Sequence, residues 1–234
     1  LCNEPAAVHI DVGINRLGLE SKNLANALPI LKSLKLKLIL SHLSSADDIE
    51  APETKNQLDL FCKISKFFPS VNKSLSSTGG TLLGSKYHFQ LNRPGIGLYG
   101  GLPFQRAETV VNLKVPVLQV KKVSQSEGIG YNHTYRANSE RKIAVVAAGY
   151  ADGLFRALSN NGVLYYNKIP CPIIGRVSMD LITVDITALT HNPKCLEVLN
   201  ETQTIDTLAQ KCNTIGYEIL TNLGYRYNRI YHTE

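Results

Sequence analysis

The first 106 residues alternate short apolar runs with longer segments whose apolar positions recur at helical spacing. Val8 to Asp11 precedes a helical pattern from Ser21 to Ser33, and Lys37 to His42 precedes an amphipathic stretch between Asp48 and Phe68. Ser74 to Ser77 then leads into Gly79-Gly80-Thr81-Leu82-Leu83, and a fourth run lies near Phe89 to Asn92. Such alternation predicts strand–helix units of a parallel sheet or barrel. Four units are too few to close an eight-stranded barrel, and an open half would leave an edge and an apolar face uncovered. The missing strands are therefore expected to precede this chain or to come from a partner.

From about Glu108 the texture changes to short strands divided by Gly, Pro and Asn turns. Val115 to Val123, Ile143 to Ala148, Val163 to Tyr166, Ile169 to Ile174 and Leu181 to Ile186 predict a mainly antiparallel β domain, with Asn167-Lys168 as a tight hairpin. Helices are predicted over Asp206 to Cys212 and Gly216 to Asn222. The expected division is a partial barrel over 1–106 and a β domain over 107–234.

Composition narrows the function classes. With 44% hydrophobic and 19% charged residues the chain is ordinarily globular, and its net charge of +6 comes from scattered Lys and Arg. No basic run or aromatic–basic interleaving points to nucleic acid. Cys2, Cys62, Cys171, Cys195 and Cys212 are odd in number and widely spaced, which fits a reducing cytoplasm and neither a disulfide framework nor a metal site. No apolar run approaches the roughly 20 residues of a membrane span. In that compartment the sequons at Asn72, Asn132 and Asn200 carry no meaning. The chain opens on Leu1 and runs almost at once into an apolar strand, as a piece of a longer protein would.

The candidate chemistry centres on Gly149-Tyr150-Ala151-Asp152-Gly153, where turn residues follow the apolar run Lys142 to Ala148. A tyrosine at a strand end can serve as a proton-transfer base, or be a core tyrosine with a satisfied hydroxyl. A second motif, Gly175-Arg176-Val177-Ser178-Met179-Asp180, favours the base.

With Asn92-Arg93-Pro94-Gly95-Ile96-Gly97-Leu98-Tyr99-Gly100 and Leu223-Gly224-Tyr225-Arg226-Tyr227-Asn228-Arg229, these segments closely resemble the alanine racemase family. Asp11-Val12-Gly13-Ile14-Asn15-Arg16-Leu17-Gly18 and Ser41-His42-Leu43-Ser44-Ser45-Ala46-Asp47 extend the resemblance along the whole chain. It implies an α/β plus β fold: the C-terminal half of a (β/α)8 TIM-type barrel followed by a mainly antiparallel β domain. It further implies pyridoxal 5'-phosphate as cofactor, alanine as substrate, D-alanine for bacterial peptidoglycan as product, and a cytoplasmic homodimer with shared active sites.

On that resemblance Tyr150 is the base for the L-antipode and acts in the partner subunit's site. The resemblance implies that the opposite face is served by a lysine that also holds the cofactor, on a barrel strand expected to precede this chain, so this stretch alone is not expected to be active. Arg93 is implied to face the cofactor's pyridine nitrogen, with His42 beside the ring. Thr78, Tyr225 and the backbone of Gly95 and Ile96 are implied to hold the phosphate. Arg16 and the backbone at Met179 are implied to bind substrate. Arg176 and Asp180 resemble entrance residues, or form an ordinary ion pair. His9 stands where the family frequently has a lysine that braces the arginine. The motif Gly149 to Gly153 argues against a fold-related pyridoxal-phosphate decarboxylase, whereas a serine racemase and a non-catalytic remnant remain alternatives.

Overall fold

The computed structural model describes residues 4–48 and 50–232. Two compact units are present: residues up to Leu98 together with Pro103–Arg106, and Tyr99–Leu102 together with Ala107 onward.

In the first unit β1 (Pro5–Asp11), β2 (Leu19–Glu20), α1 (Leu24–Ser33), β3 (Lys35–Leu40), α2 (Pro52–Ser65), β4 (Asn72–Ser74) and α3 (Thr78–Leu82) follow one another. The sheet order is β2-β1-β3-β4, and every pairing is parallel. Ile10 and Ile39 have no solvent exposure, and α2 buries Leu58, Phe61 and Ile64 at helical spacing. Phe61 meets Phe89 edge to face at 5.1 Å. Pro52 at the start of α2, where a missing N–H costs nothing, and Glu53 in its first turn set where that helix begins.

Three expectations differ. The strand expected over Ser74 to Ser77 lies at Asn72–Ser74, so only Ser74 is shared. Ser21–Asn23 forms a 3-10 turn, with the α-helix starting at Leu24. Phe89 to Asn92 is not a strand. It runs beside β4 through isolated bonds, Leu91 N–H to Lys73 O at 3.2 Å and Arg93 N–H to Ser76 O at 2.9 Å. Lys73 N–H turns instead to the Gln90 side chain at 2.9 Å, and Pro94 has no N–H to continue a ladder.

The second unit holds β5 (Leu113–Val123), β6 (Gly128–Ile129), β7 (Tyr135–Arg136), β8 (Arg141–Ala147), β9 (Val163–Tyr166), β10 (Ile169–Pro172), β11 (Leu181–Asp185), β12 (Cys195–Leu199), α4 (Ile205–Cys212) and α5 (Gly216–Asn222). Six strands form one antiparallel sheet in the order β10-β9-β12-β5-β8-β11. An isolated bridge from Ile173 to Val184 joins its two ends, so the sheet curls on itself. β5 pairs with β12 through Leu113–Pro116 and with β8 through Val117–Val123, with an irregularity at Leu118. Asn167 and Lys168 both have positive φ, 47° and 68°, as a two-residue hairpin requires. Thr204 caps α4 by accepting from Thr207 N–H.

No helix among the described residues is long and apolar enough to cross a membrane. Cys62, Cys171, Cys195 and Cys212 are free thiols, and burial pushes Cys171 and Cys212 up to about 11. Cys2 lies outside the described residues.

Candidate functional site

In a parallel sheet the strand ends that carry functional loops lie on one side. In the first unit they gather a cationic, hydrogen-bonded cluster. Arg93 donates from Nη2 to Ser41 O at 2.6 Å and from Nη1 to Ser74 Oγ, which orients its guanidinium between β3 and β4. Ser41 is itself held, its hydroxyl donating to Ile10 O at 2.6 Å. The same Arg93 Nη2 lies 3.5 Å from His42 Nδ1. Burial lowers the Arg93 pKa, yet a guanidinium stays charged.

Burial is also the main cause that lowers the His42 pKa, followed by the fields of Arg93, Arg16 and His9. His9 is lowered by burial, Arg93 and Arg16, with Asp11 opposing, and its Nε2 is buried without a partner. Both imidazoles are thus held towards neutrality. Between their ordinary value near 6.5 and their lowered folded values, the unfolded chain binds more protons than the folded one. Stability from these residues is therefore complete above that value and declines as pH falls below it. Denaturant midpoints of the purified protein should be lower at about pH 5.5 than at pH 7, and substituting both His9 and His42 by Gln should shrink the difference.

Arg16 is exposed on the loop after β1. The loop is shaped by Asp11, whose carboxylate accepts from Gly13 N–H at 2.8 Å and Asn15 N–H at 3.2 Å. These backbone donors, Gly13 first, hold the Asp11 pKa below its ordinary value.

Thr78, 5% exposed at the start of α3, accepts from Gly95 N–H at 3.0 Å and Gly97 N–H at 3.2 Å. The Gly95 amide, expected to face a phosphate, is engaged by Thr78 here. The Thr78 hydroxyl keeps its own proton to donate. Ile96 is buried in the same turn. Thr78→Val keeps the shape but removes the acceptor of two amides, and should lower unfolding free energy by about 1–3 kcal/mol in urea titration.

In the second unit, three separated motifs meet. After β8 the chain turns through Tyr150–Asp152. Tyr150 N–H donates to Ser178 O and Ala151 N–H to Met179 O, both at 3.0 Å. A Cβ at Gly149 would lie 2.3 Å from each of those carbonyl oxygens, so the approach requires glycine. Buried Asp152 accepts from Gly149 N–H at 2.9 Å and from Arg226 Nε at 2.7 Å. Arg226 Nη1 reaches Asp180 at 2.7 Å. Gly224 N–H bonds Asp152 O at 3.2 Å.

Tyr150 is 45% exposed, which sets aside a core tyrosine. Met179 and Tyr225 are exposed as well, Tyr225 almost completely. Asp180 takes Arg226 as its partner, so the ordinary Arg176–Asp180 pair is not the one formed. Of the residues singled out in sequence, His42, Thr78, Arg93, Gly95, Ile96 and Arg16 belong to the first unit, and Tyr150, Met179 and Tyr225 to the second. Ser41, Ser74 and Arg226 lie in segments quoted from the sequence but carry no role there, because their contacts span 46 to 74 residues in sequence for Arg226 and 19 to 52 for the Arg93 anchors.

Comparison with known proteins bears on these units. A family model described as "Alanine racemase, N-terminal domain" matches residues 3–103, and one described as "Alanine racemase, C-terminal domain" matches 110–231. An alanine racemase of Cereibacter sphaeroides is 48% identical over 231 residues, covering 99% of this chain and 66% of that protein. One from Rickettsia peacockii is 42% identical, covering 97% and 65%. Among solved structures, alanine racemase from Bartonella henselae with covalently bound pyridoxal phosphate superposes with a TM-score of 0.91 at 36% identity, over 97% of this chain and 66% of that one. The biosynthetic alanine racemase of Pseudomonas aeruginosa gives a TM-score of 0.87 at 28% identity, with the same coverage. The chain thus spans just under two thirds of the length of these relatives.

Proposed function

The chain belongs to the alanine racemase family, and from that premise we propose that it serves the interconversion of L- and D-alanine with pyridoxal 5'-phosphate, Tyr150 being the base on one face of the substrate. The observation that carries the reading is the Tyr150 turn, an exposed phenol on a backbone pinned by the two other motifs.

The first unit suits the cofactor. Its strand ends present a fixed guanidinium, two imidazoles held towards neutrality and a buried His9 Nε2 without a partner. That set fits a polar aromatic ring bearing negative charge. Arg93 and His42 would lie against the ring. Thr78, Tyr225 and the Gly95–Ile96 turn would hold the phosphate. When bound, the cofactor withdraws electrons from the substrate Cα, so that loss of its proton becomes feasible.

This chain's residues then supply orientation and proton transfer. Arg16, helped by the backbone at Met179, binds the carboxylate. The Tyr150 phenolate takes the α-proton of the L-antipode, and the phenol returns one when the reaction runs the other way. Arg93 keeps its protons and leaves the ring nitrogen unprotonated. Arg176 and Asp180 guard the substrate entrance. The working unit is a homodimer in which Tyr150 completes the neighbour's site. It operates in the cytoplasm and supplies D-alanine for peptidoglycan.

The test is the purified full-length protein loaded with pyridoxal phosphate and given L-alanine. D-alanine should accumulate to an equal mixture of antipodes. Faster racemisation of serine than of alanine would overturn the substrate assignment, and no racemisation of either would overturn the activity.

A further inference from the structure

We infer that Arg226 is a positioning residue for the Tyr150 phenol, locking the C-terminal segment through Asp152 and Asp180 onto the turn that carries that tyrosine. The inference rests on the reading of Tyr150 as the proton-transfer base.

Asp152 is the last residue of the turn begun by Tyr150. One of its carboxylate oxygens accepts from Gly149 N–H, the other from Arg226 Nε, and its carbonyl accepts from Gly224 N–H. The remaining arm of Arg226 reaches Asp180, the residue after Ser178 and Met179, whose carbonyls hold Tyr150 N–H and Ala151 N–H. Arg226 therefore joins the turn to the segment that supports it from the other side. Gly153 closes the arrangement: its φ is +92°, and a Cβ there would lie 2.0 Å from Asn222 O.

The two ends of the clasp are unequal. The Asp152 side chain is 8% exposed and that of Asp180 52%. A buried carboxylate requires a partner, so the inner contact cannot be released without cost. A planar guanidinium with donors on two edges fixes the angle between its partners, which a single ammonium cannot do. Tyr225 immediately precedes Arg226, so the clasp also fixes the backbone from which that phenol projects.

A proton-transfer base works only within hydrogen-bond reach of its proton, and a displacement of about 1 Å costs up to 10²-fold. The test compares Arg226→Gln, Arg226→Lys, Asp180→Asn and Tyr150→Phe in the full-length holoenzyme, with kcat, KM and the α-deuterium isotope effect measured for each antipode. Arg226→Gln should lower kcat by about 10- to 100-fold with KM for L-alanine little changed. The isotope effect with L-alanine should rise relative to that with D-alanine, because the step on the Tyr150 face becomes slower. Arg226→Lys should recover part of the loss. Asp180→Asn, altering only the exposed end, should move kcat and isotope effect in the same direction by less.

Loss of folded enzyme would scale kcat and leave both isotope effects unchanged. That result, or an unchanged kcat, in Arg226→Gln would overturn the inference. Should Arg226→Gln fail to fold, Asp180→Asn decides on the same readouts. If Tyr150→Phe is inactive while the Arg226 variants are normal, the clasp alone fails. If Tyr150→Phe still racemises, the base assignment itself fails.

Discussion

Tyr150→Phe in the full-length, cofactor-loaded enzyme should lower racemisation by roughly 10³-fold or more, the scale of a positioned acid–base group. Both directions should fall together, because no enzyme alters the equilibrium between antipodes. On the proposed reading D-alanine should nevertheless continue to exchange its α-hydrogen with deuterium from solvent, since that proton would leave from the face Tyr150 does not serve. The substitution removes one oxygen from a side chain that is 45% exposed, while the turn is held by backbone bonds to Ser178 and Met179. Stability should therefore change by no more than about 0.5 kcal/mol. Undiminished racemisation would remove Tyr150 from the mechanism, and equal loss of racemisation and exchange would mean that the substitution had damaged the site as a whole.

Tyr150 also illustrates what the sequence could and could not convey. Its place at a strand end was legible because Lys142 to Ala148 is an apolar run closed by Gly149, and local pattern governs both. The Asn167-Lys168 hairpin and the helix over Gly216–Asn222 were legible for the same reason. β12 was not singled out, because Glu197 interrupts its apolar residues although Leu196 and Val198 alternate inward. The segment from Phe89 to Asn92 reads as a strand, but whether a ladder forms depends on the neighbour's N–H groups, one of which is taken by Gln90. The clasp lies further out of reach. Nothing near Arg226 names Asp152, 74 positions away, and the sequence offers Arg176 as a nearer partner for Asp180. Long-range partners are chosen by the fold and carry no local periodicity.

Arg93 gives the second large expectation. Arg93→Glu in the holoenzyme should reduce racemisation by about 10²–10³-fold, the scale of losing one preorganised donor. The guanidinium contacts two acceptors, Ser41 O and Ser74 Oγ, and lies near His42 Nδ1. A carboxylate there would turn lone pairs towards the Ser41 carbonyl, and the field that helps hold His9 and His42 towards neutrality would reverse sign. Both imidazoles would then protonate more readily, and the loss of stability as pH falls below about 6.5 should be smaller than in the parent. On the proposed reading Arg93 also keeps the cofactor's electron sink weak, which shortens the life of the deprotonated substrate and limits side reactions. Pyruvate formation from alanine should therefore rise relative to racemisation in Arg93→Glu. Arg93→Lys separates the two contributions: one ammonium retains the field at the histidines but cannot hold both anchors, so the pH dependence of stability should stay near that of the parent while racemisation falls. A pyruvate-to-racemisation ratio unchanged in Arg93→Glu would remove Arg93 from the cofactor's ring and leave it as the half-buried tie between β3 and β4.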